Sequence, residues 1–453
     1  MLPSFVKNHW RKMAAGTITA AVGVWLWEQM TETSYGLQAL QAARDAGLPT
    51  PPSPPSPASS APASSAGRGE GKEGDEVLKR MQAHFQATQD AADDTVLRWV
   101  GMVREAIVGM VPIDATKAKL RGGADNEVLS SEEKAAIWGE LVEMAFIQAL
   151  LSVYAISALK ILFRTQMNIL GRNVYLDIVQ SGSTARSSAS DPLQAKFLAR
   201  CFFFLKTGLP RLALKIEHAV HAALEQVSLA SMYSLSSLLD LVASVRAAVE
   251  GPNVPGASSN LAQYLVPPSS SSSAPPSSAP PSSSSAASSV AGGSTAAVPA
   301  DPDSDPEHPL FKAKLDLLVS ELDEYIKSSD SAPIIGECLD AAFAEYGLVL
   351  ESKVRAITAP STDGKSTSTS TTTTDNDDDS LSHRLQLARF VGPLVGSAKS
   401  MLSSSTSGGA SKLNTALSSV PRLESLCALI YSDFDRRALF EVIAPPPSPS
   451  PLR

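Results

Sequence analysis

The sequence predicts an all-α fold, organised as a single elongated bundle of long helices, and three observations support this class. Apolar residues recur at helical spacing through most of the chain, and no segment shows the convincing alternation of a strand. Proline and serine are concentrated in a few tracts that are poor in large apolar side chains. Near the N-terminus an uncharged segment follows a basic one. Together these features predict a membrane anchor, a linker and one helical domain with insertions in its loops.

The tracts rich in proline, serine or threonine set the domain boundaries. Such segments cannot bury enough apolar surface to offset the conformational entropy of the chain, so we expect them to be disordered. The predicted organisation is an anchor region at 1–47, a linker at 48–75, a helical domain at 76–443 with insertions at 252–307 and 360–380, and a tail at 444–453.

Charge and cysteine usage exclude several classes of protein. The net charge is −8 and the isoelectric point about 5.4, which argues against nucleic-acid binding because such proteins usually carry a basic face. Cys201, Cys338 and Cys427 are scattered and never form a CxxC pair. This usage fits a reducing compartment and predicts no structural zinc.

The N-terminal region has the layout of a short membrane anchor. Residues 1–12 are basic without any acid, and residues 13–27 carry no charge. Fifteen helical residues span roughly 22 Å, and tryptophans on both sides suit the membrane interfaces. A signal peptide would need small residues at a cleavage site, and Leu26-Trp27-Glu28-Gln29 supplies none. The targeting residues that we assign are Lys7, Arg11, Lys12, Trp25 and Trp27.

Apolar periodicity and capping signals predict the helices. Ser130 and Glu133 form a capping-box pattern that opens a long helix. Its uncharged run at 144–159 is shorter than a membrane span and is interrupted by polar residues, so we interpret it as the buried centre of the bundle. Asp93 and Asp94 mark a place where the first helix could break. The remaining helices are predicted at 75–110, 191–205, 210–229, 234–250, 309–327, 333–357, 381–401 and 413–443.

Catalytic and metal-binding patterns are weak, so the sequence predicts neither an enzyme nor a cofactor or metal site. His218 and His221 lie one turn apart without a third ligand, which favours a solvated helix face. Spacing favours a core position for both Trp99 and Trp138. For Trp138 the mouth of a groove is the alternative, because Lys134 lies beside it at the start of a helix.

The segment from Leu162 to Asp177, LFRTQMNILGRNVYLD, resembles the signature of the peroxisomal biogenesis factor 3 (peroxin 3) family. The motif Ile137-Trp138-Gly139-Glu140-Leu141 precedes it in the order that the family shows. Further similarity includes His84-Phe85, the stretch 234–241 and Leu387-Ala388-Arg389, so the resemblance spans nearly all of the chain outside the predicted insertions.

The resemblance implies a docking receptor rather than an enzyme. Members of the family are anchored in the peroxisomal membrane by one N-terminal span, and their helical domain binds an amphipathic helix of the peroxin 19 chaperone, which carries new peroxisomal membrane proteins. By motif position, Trp138 corresponds to the groove tryptophan and Arg389 to a family lysine. The implied partner-binding residues are Lys134, Ile137, Trp138, Leu141, Arg389 and Leu120, with Leu129 as the rival of Leu120.

Topology and two other classes of function stay open from the sequence. The positive-inside rule would keep the N-terminus in the cytosol, whereas the resemblance implies a cytosolic main domain, with a monomeric soluble part. We follow the resemblance, because a large acidic domain without paired cysteines fits the cytosol. The alternatives are a membrane-anchored tether at another organelle and a helical lipid-binding or enzymatic domain.

Overall fold

The structure, a computed structural model, describes most of the predicted helical domain. The predicted anchor at 1–47, the insertion at 360–380 and the tail at 444–453 lie outside the described residues. The described stretches are 70–121, 129–181, 190–225, 227–251, 260–267, 309–358, 384–403 and 408–436.

These stretches are almost entirely helical, which confirms the predicted all-α class. The α-helices are, in chain order, α1 (Glu70–Met110), α2 (Ile113–Leu120), α3 (Ser131–Ser181), α4 (Ser190–Leu198), α5 (Cys201–Phe203), α6 (Leu209–Leu224), α7 (Leu235–Glu250), α8 (Ala262–Leu265), α9 (Pro309–Lys327), α10 (Ser331–Thr358), α11 (Val391–Met401), α12 (Gly409–Ser418) and α13 (Pro421–Ser432). A π-helix (Phe204–Gly208) joins α5 to α6, and 3₁₀ turns occupy Leu387–Phe390 and Phe434–Arg436. Two-residue strands β1 (Met232–Tyr233) and β2 (Leu385–Gln386) pair antiparallel.

The long helix α3 is the axis around which the others pack. The predicted capping box is confirmed, because Glu133 N–H donates to Ser130 Oγ (3.2 Å) and Ser130 N–H donates to Glu133 Oε2 (2.8 Å). Among the described residues, only this helix has the length and hydropathy of a membrane span, and its apolar window is 100% buried inside the protein. The interpretation of 144–159 as the centre of the bundle is therefore confirmed. Helices α1, α2, α4 to α6 and α9 to α13 all pack against it.

A charged cluster inside the bundle joins α1 and α12 to α3. The guanidinium of Arg164 donates two hydrogen bonds of 2.8 Å to the Asp93 carboxylate, and Lys160 Nζ also contacts that carboxylate. Ser418 Oγ donates to Asp93 Oδ2 (2.7 Å), and Lys160 Nζ donates to Asn414 Oδ1 (2.9 Å). Helix α1 continues through Asp93 without a break, since this carboxylate pairs with α3 instead of capping a helix.

The cluster shifts the pKa values of its members. Burial raises the pKa of the Asp93 carboxyl, but the hydrogen bonds and charges of Arg164 and Lys160 outweigh burial and hold it below its usual value. Burial, together with the neighbouring Arg164 charge, lowers the pKa of Lys160 to about 8. The cations are therefore tolerated inside the bundle because Asp93 compensates them.

A second buried pair and a polar aromatic contact lie further along the bundle, toward the C-terminal end of α3. Arg172 Nη2 donates to Glu321 Oε2 on α9 (2.9 Å), and both side chains are buried. Helix α1 crosses α3 closely at Gly171, where a Cβ would lie 2.8 Å from Thr88 Oγ1. The His84 ring shares a 2.7 Å hydrogen bond with the Tyr431 hydroxyl, and burial lowers the pKa of His84 to about 4.

The structure corrects several predicted boundaries. Helix 413–443 is divided into α12 and α13, because the ring and missing N–H of Pro421 favour the start of a new helix over its interior. Helix 381–401 begins with a strand and a 3₁₀ turn at 385–390. The predicted linker 48–75 is too long by the first residues of α1, since that helix begins at Glu70.

The insertion predicted at 252–307 is also too long. Residues 260–267 within it form α8 and its flanks, and their apolar side chains are buried against the bundle. Its short apolar run was hidden between proline- and serine-rich sequences, which gave no helical period to detect.

We predict that Asp93→Ala lowers the free energy of unfolding of the full chain by about 3 kcal/mol, because Lys160 and Arg164 would remain buried without their carboxylate. Urea unfolding followed by circular dichroism in detergent measures this change. The matched control is Glu76→Ala, which removes an exposed ion pair with Arg80 (3.8 Å). We expect it to cost less than about 0.5 kcal/mol. Equal costs for the two variants would contradict the role of the cluster.

We also predict that His84 makes the stability depend on pH between 6.5 and about 4. In this window the unfolded chain takes up a proton at His84 whereas the folded protein does not, so stability falls as the pH falls, by about 1.4 kcal/mol per unit. His84→Gln should reduce that slope, measured by urea unfolding at a series of pH values. The exposed His218→Gln is the control, and an unchanged slope in His84→Gln would refute the prediction.

Candidate partner-binding site

The first turns of α3 lie beyond the end of α1. The two helices are antiparallel, since Gln89 hydrogen-bonds Asn168 and Asp93 pairs with Arg164. Met110, the last residue of α1, lies 17 residues after Asp93. Because the helices are antiparallel and rise equally per residue, it is level with the residue 17 positions before Arg164, which is residue 147 of α3. Trp138 therefore lies about nine residues, or roughly 13 Å, beyond the cover that α1 provides.

Trp138 is exposed in this uncovered part of α3. Its side chain has 37% of its surface accessible, and it is one of the exposed large apolar residues of the described chain. The spacing-based prediction of a core position is therefore wrong for Trp138. It is confirmed for Trp99, which packs against Phe163 and Phe202 with ring centroids about 5 Å away. Helical spacing does not distinguish the two, because Trp99 lies on α1 and packs against Phe163 of α3, whereas Trp138 lies on α3 beyond the end of α1.

The neighbours of Trp138 on α3 divide between the surface and the core. Lys134 is exposed, and Ile137 is half-buried against the core. A Cβ on Gly139 would meet no atom within 4 Å outside its chain neighbours and the nearby helix backbone, so the helix surface at Gly139 is open. Leu141 was predicted to contact a partner, but it is only 1% exposed and belongs to the core beneath Trp138. Three residues along a helix rotate a side chain by about 60°, which is enough to turn it inward here.

Helix α2 forms one side of the open region. Thr116 Oγ1 lies 3.5 Å from Met144 Sδ, which places α2 beside α3. Leu120 is the last residue of α2 and lies four residues beyond Thr116. Leu120 is half-buried against the core, and Leu129 is also half-buried. The two leucines are buried to a similar extent, so their exposure does not favour either one as the partner-binding residue.

The end of α6 contributes an acidic side to the region. His221 Nδ1 on α6 lies 3.4 Å from Glu143 Oε1 on α3. Burial raises the pKa of Glu143, and burial together with the Glu143 charge raises the pKa of Glu217. His218 is exposed, as predicted for a solvated face, whereas His221 is partly covered by this contact. The described residues hold no group of three or more potential metal ligands.

Arg389 lies at the same end of the bundle. It is exposed in the 3₁₀ turn Leu387–Phe390, whose Leu387 and Phe390 are buried. Leu387 N–H donates to Ser231 O (3.1 Å), next to the pairing of β1 with β2. Because β1 follows α6 by a short connection from the level of Glu143, this turn is brought to the Trp138 end. No local pattern predicts the β1–β2 pair or the contact between Glu143 and His221, which meet only when α6 packs on α3.

These features define an all-α protein built around one buried helix, with an aromatic residue exposed where that helix emerges from its cover. The Peroxin-3 family model matches residues 37–433, and the chain belongs to this family. The resemblance found in the sequence is thereby confirmed.

The curated relatives agree with this assignment. Peroxisomal biogenesis factor 3 of Cricetulus longicaudatus is 30% identical over 195 residues, which are 42% of this chain and 50% of the relative. The Homo sapiens protein of the same name is 29% identical over the same shares. Peroxisome biogenesis protein 3-1 of Arabidopsis thaliana is 30% identical over 38% of this chain and 49% of its own length. The chain thus spans about half the length of the curated relatives it matches. A family of biogenesis factors agrees with the prediction that the chain is not an enzyme.

Proposed function

We propose that this protein acts in peroxisome biogenesis, in the peroxisomal membrane, as the docking receptor for a peroxin 19-type chaperone. Family membership and the names of the relatives support the peroxisomal role. The observation that carries the docking role is the exposure of Trp138 at the end of a helix whose other large apolar residues are mostly buried. An exposed aromatic side chain on an open helix surface is a typical anchor point for a partner.

The docking mode is an amphipathic helix laid in a shallow groove. The apolar face of the partner contacts Trp138, with Ile137 and Leu120 extending the apolar surface on either side. Lys134 and Arg389 are exposed cations that pair with acidic residues of the partner and orient it. Leu141 supports Trp138 from below and contributes through packing rather than by contact, because almost none of its surface is accessible.

The proposed membrane arrangement rests on the predicted anchor and on the family resemblance, which implies a cytosolic main domain. The apolar segment at 13–27 forms a single span, and the linker up to α1 holds the helical domain at the cytosolic face. Helix α3 stays in the bundle, since its apolar window is covered by protein. The partner site lies at the end of the bundle opposite to the start of α1, so a bound chaperone is held away from the anchor.

We expect Trp138→Ala to weaken binding of the chaperone's amphipathic helix about thirtyfold, because truncation of a buried aromatic anchor typically costs ~2 kcal/mol. Calorimetric titration of the full chain in detergent with that helix as a peptide measures the affinity. The matched control is Leu348→Ala, which removes an apolar side chain that is 61% exposed on α10, far from Trp138 along the chain.

Lys134→Ala and Arg389→Ala should each weaken binding only a few-fold, and the difference should shrink at 1 M salt, where the Debye length is about 3 Å. If Trp138→Ala bound the helix as tightly as the unmodified chain, the proposed site would be rejected. A loss in Leu348→Ala as large as in Trp138→Ala would place the binding surface elsewhere.

A further inference from the structure

Residues 260–267, here called the docked segment, are held in the bundle although they lie within a tract rich in proline and serine. Leu261, Ala262, Tyr264, Leu265 and Val266 are each 7% exposed or less. The sequence before the segment is PNVPGASS, and a long proline- and serine-rich run follows it. A short apolar element between such sequences has the composition of a peptide ligand on two tethers.

The floor that receives the docked segment is shaped to its backbone. A Cβ on Gly208, the last residue of the π-helix, would lie 1.9 Å from the Tyr264 carbonyl oxygen and 2.9 Å from its carbon. Only glycine at this position lets the segment approach so closely. The π-helix carries an extra residue in its turn, a distortion that is frequent at functional sites.

Side chains of the bundle hold both ends and the middle of the docked segment. Asn260 Nδ2 donates to Glu250 O at the end of α7 (2.7 Å), and Lys327 Nζ donates to Pro267 O (3.1 Å). The Arg211 guanidinium lies 5.8 Å from the centre of the Tyr264 ring. Recognition of a carbonyl, an amide and a ring is the chemistry with which a groove selects a peptide.

The docked segment also brings its own turn. Tyr264 N–H donates to Leu261 O (3.0 Å), and Val266 N–H donates to Ala262 O (3.4 Å). These bonds stay within the segment, so it can leave the bundle without breaking them. The apolar side chains and the contacts described above hold it in the bundle.

We propose that the surface formed by the π-helix, α6 and α9 is a peptide-binding groove, which the chain occupies in cis with its own residues 260–267. The ligand it takes is one helical turn that carries an amide side chain at its start and apolar residues at its end. The tethers keep the cis segment at an effective concentration on the order of millimolar, so an added peptide does not enter the intact chain.

The test replaces residues 260–267 of the full chain with glycine and serine of equal length and adds a fluorescent synthetic peptide of residues 259–268, SNLAQYLVPP. The chain with this replacement is here called the excised chain. Fluorescence anisotropy should show saturable binding of the peptide to the excised chain and no binding to the intact chain. Gly208→Ala in the excised chain is the matched control. The two atoms nearest to the added methyl belong to Tyr264 and are absent when the segment is replaced, so the change should act on the bound peptide and weaken its binding at least tenfold.

If the excised chain does not fold, a chain with protease sites on both sides of the segment tests the proposal instead. Protease sites are placed in the 252–259 and 268–275 stretches, and the purified chain is cut on both sides. The proposal predicts that the segment is released on dilution while the helical circular dichroism signal remains. Retention of the segment, loss of the helical signal on its release, or peptide binding that Gly208→Ala leaves unchanged would overturn the proposal and make the segment an integral part of the fold.

Discussion

Two cations, Lys160 and Arg164, lie inside the bundle on its central helix, and Asp93 of α1 compensates both. An uncompensated cation in this interior would be strongly destabilising, so the pairing fixes the register of α1 against α3. The register in turn determines which residue of α3 lies level with the end of α1, and therefore which part of α3 is not covered by α1. The same carboxylate accepts a hydrogen bond from Ser418, which brings α12 to the cluster. The exposure of Trp138 is thus a consequence of a charge pair located more than twenty residues away along α3.

Much of the fold could be predicted from the sequence because long helices leave strong local signals. The capping box at Ser130 and the apolar run at 144–159 specify the start and burial of α3 without any knowledge of its neighbours. Features that depend on contacts distant in sequence could not be predicted in this way. The β1–β2 pair joins residues about 150 positions apart, and α8 is too short to show a period. The role of Asp93 was also hidden, since a buried ion pair requires both helices in place.

The candidate site also combines features that local sequence patterns predict with features that depend on contacts distant in sequence. Helical spacing treats Trp99 and Trp138 alike, and only the three-dimensional register separates a core residue from an exposed one. The motif resemblance selected both Trp138 and Leu141. Trp138 is exposed on the surface of α3, whereas Leu141 is buried in the core. A motif records which positions matter to a family without stating whether each acts by contact or by support. Arg389 reaches the same end through the β1–β2 pair, a route that no local pattern reveals.

We propose that the partner docks where α3 emerges beyond α1. Hydrogen–deuterium exchange of the full chain, with and without a peroxin 19-type chaperone, tests it most directly because it surveys every segment at once. We expect slower amide exchange in α2, in the first four turns of α3 and in the turn that carries Arg389, with the remaining helices unchanged. Protection confined to another surface, such as the α10–α12 face around Leu348 and Lys412, would show that the partner does not dock at the start of α3.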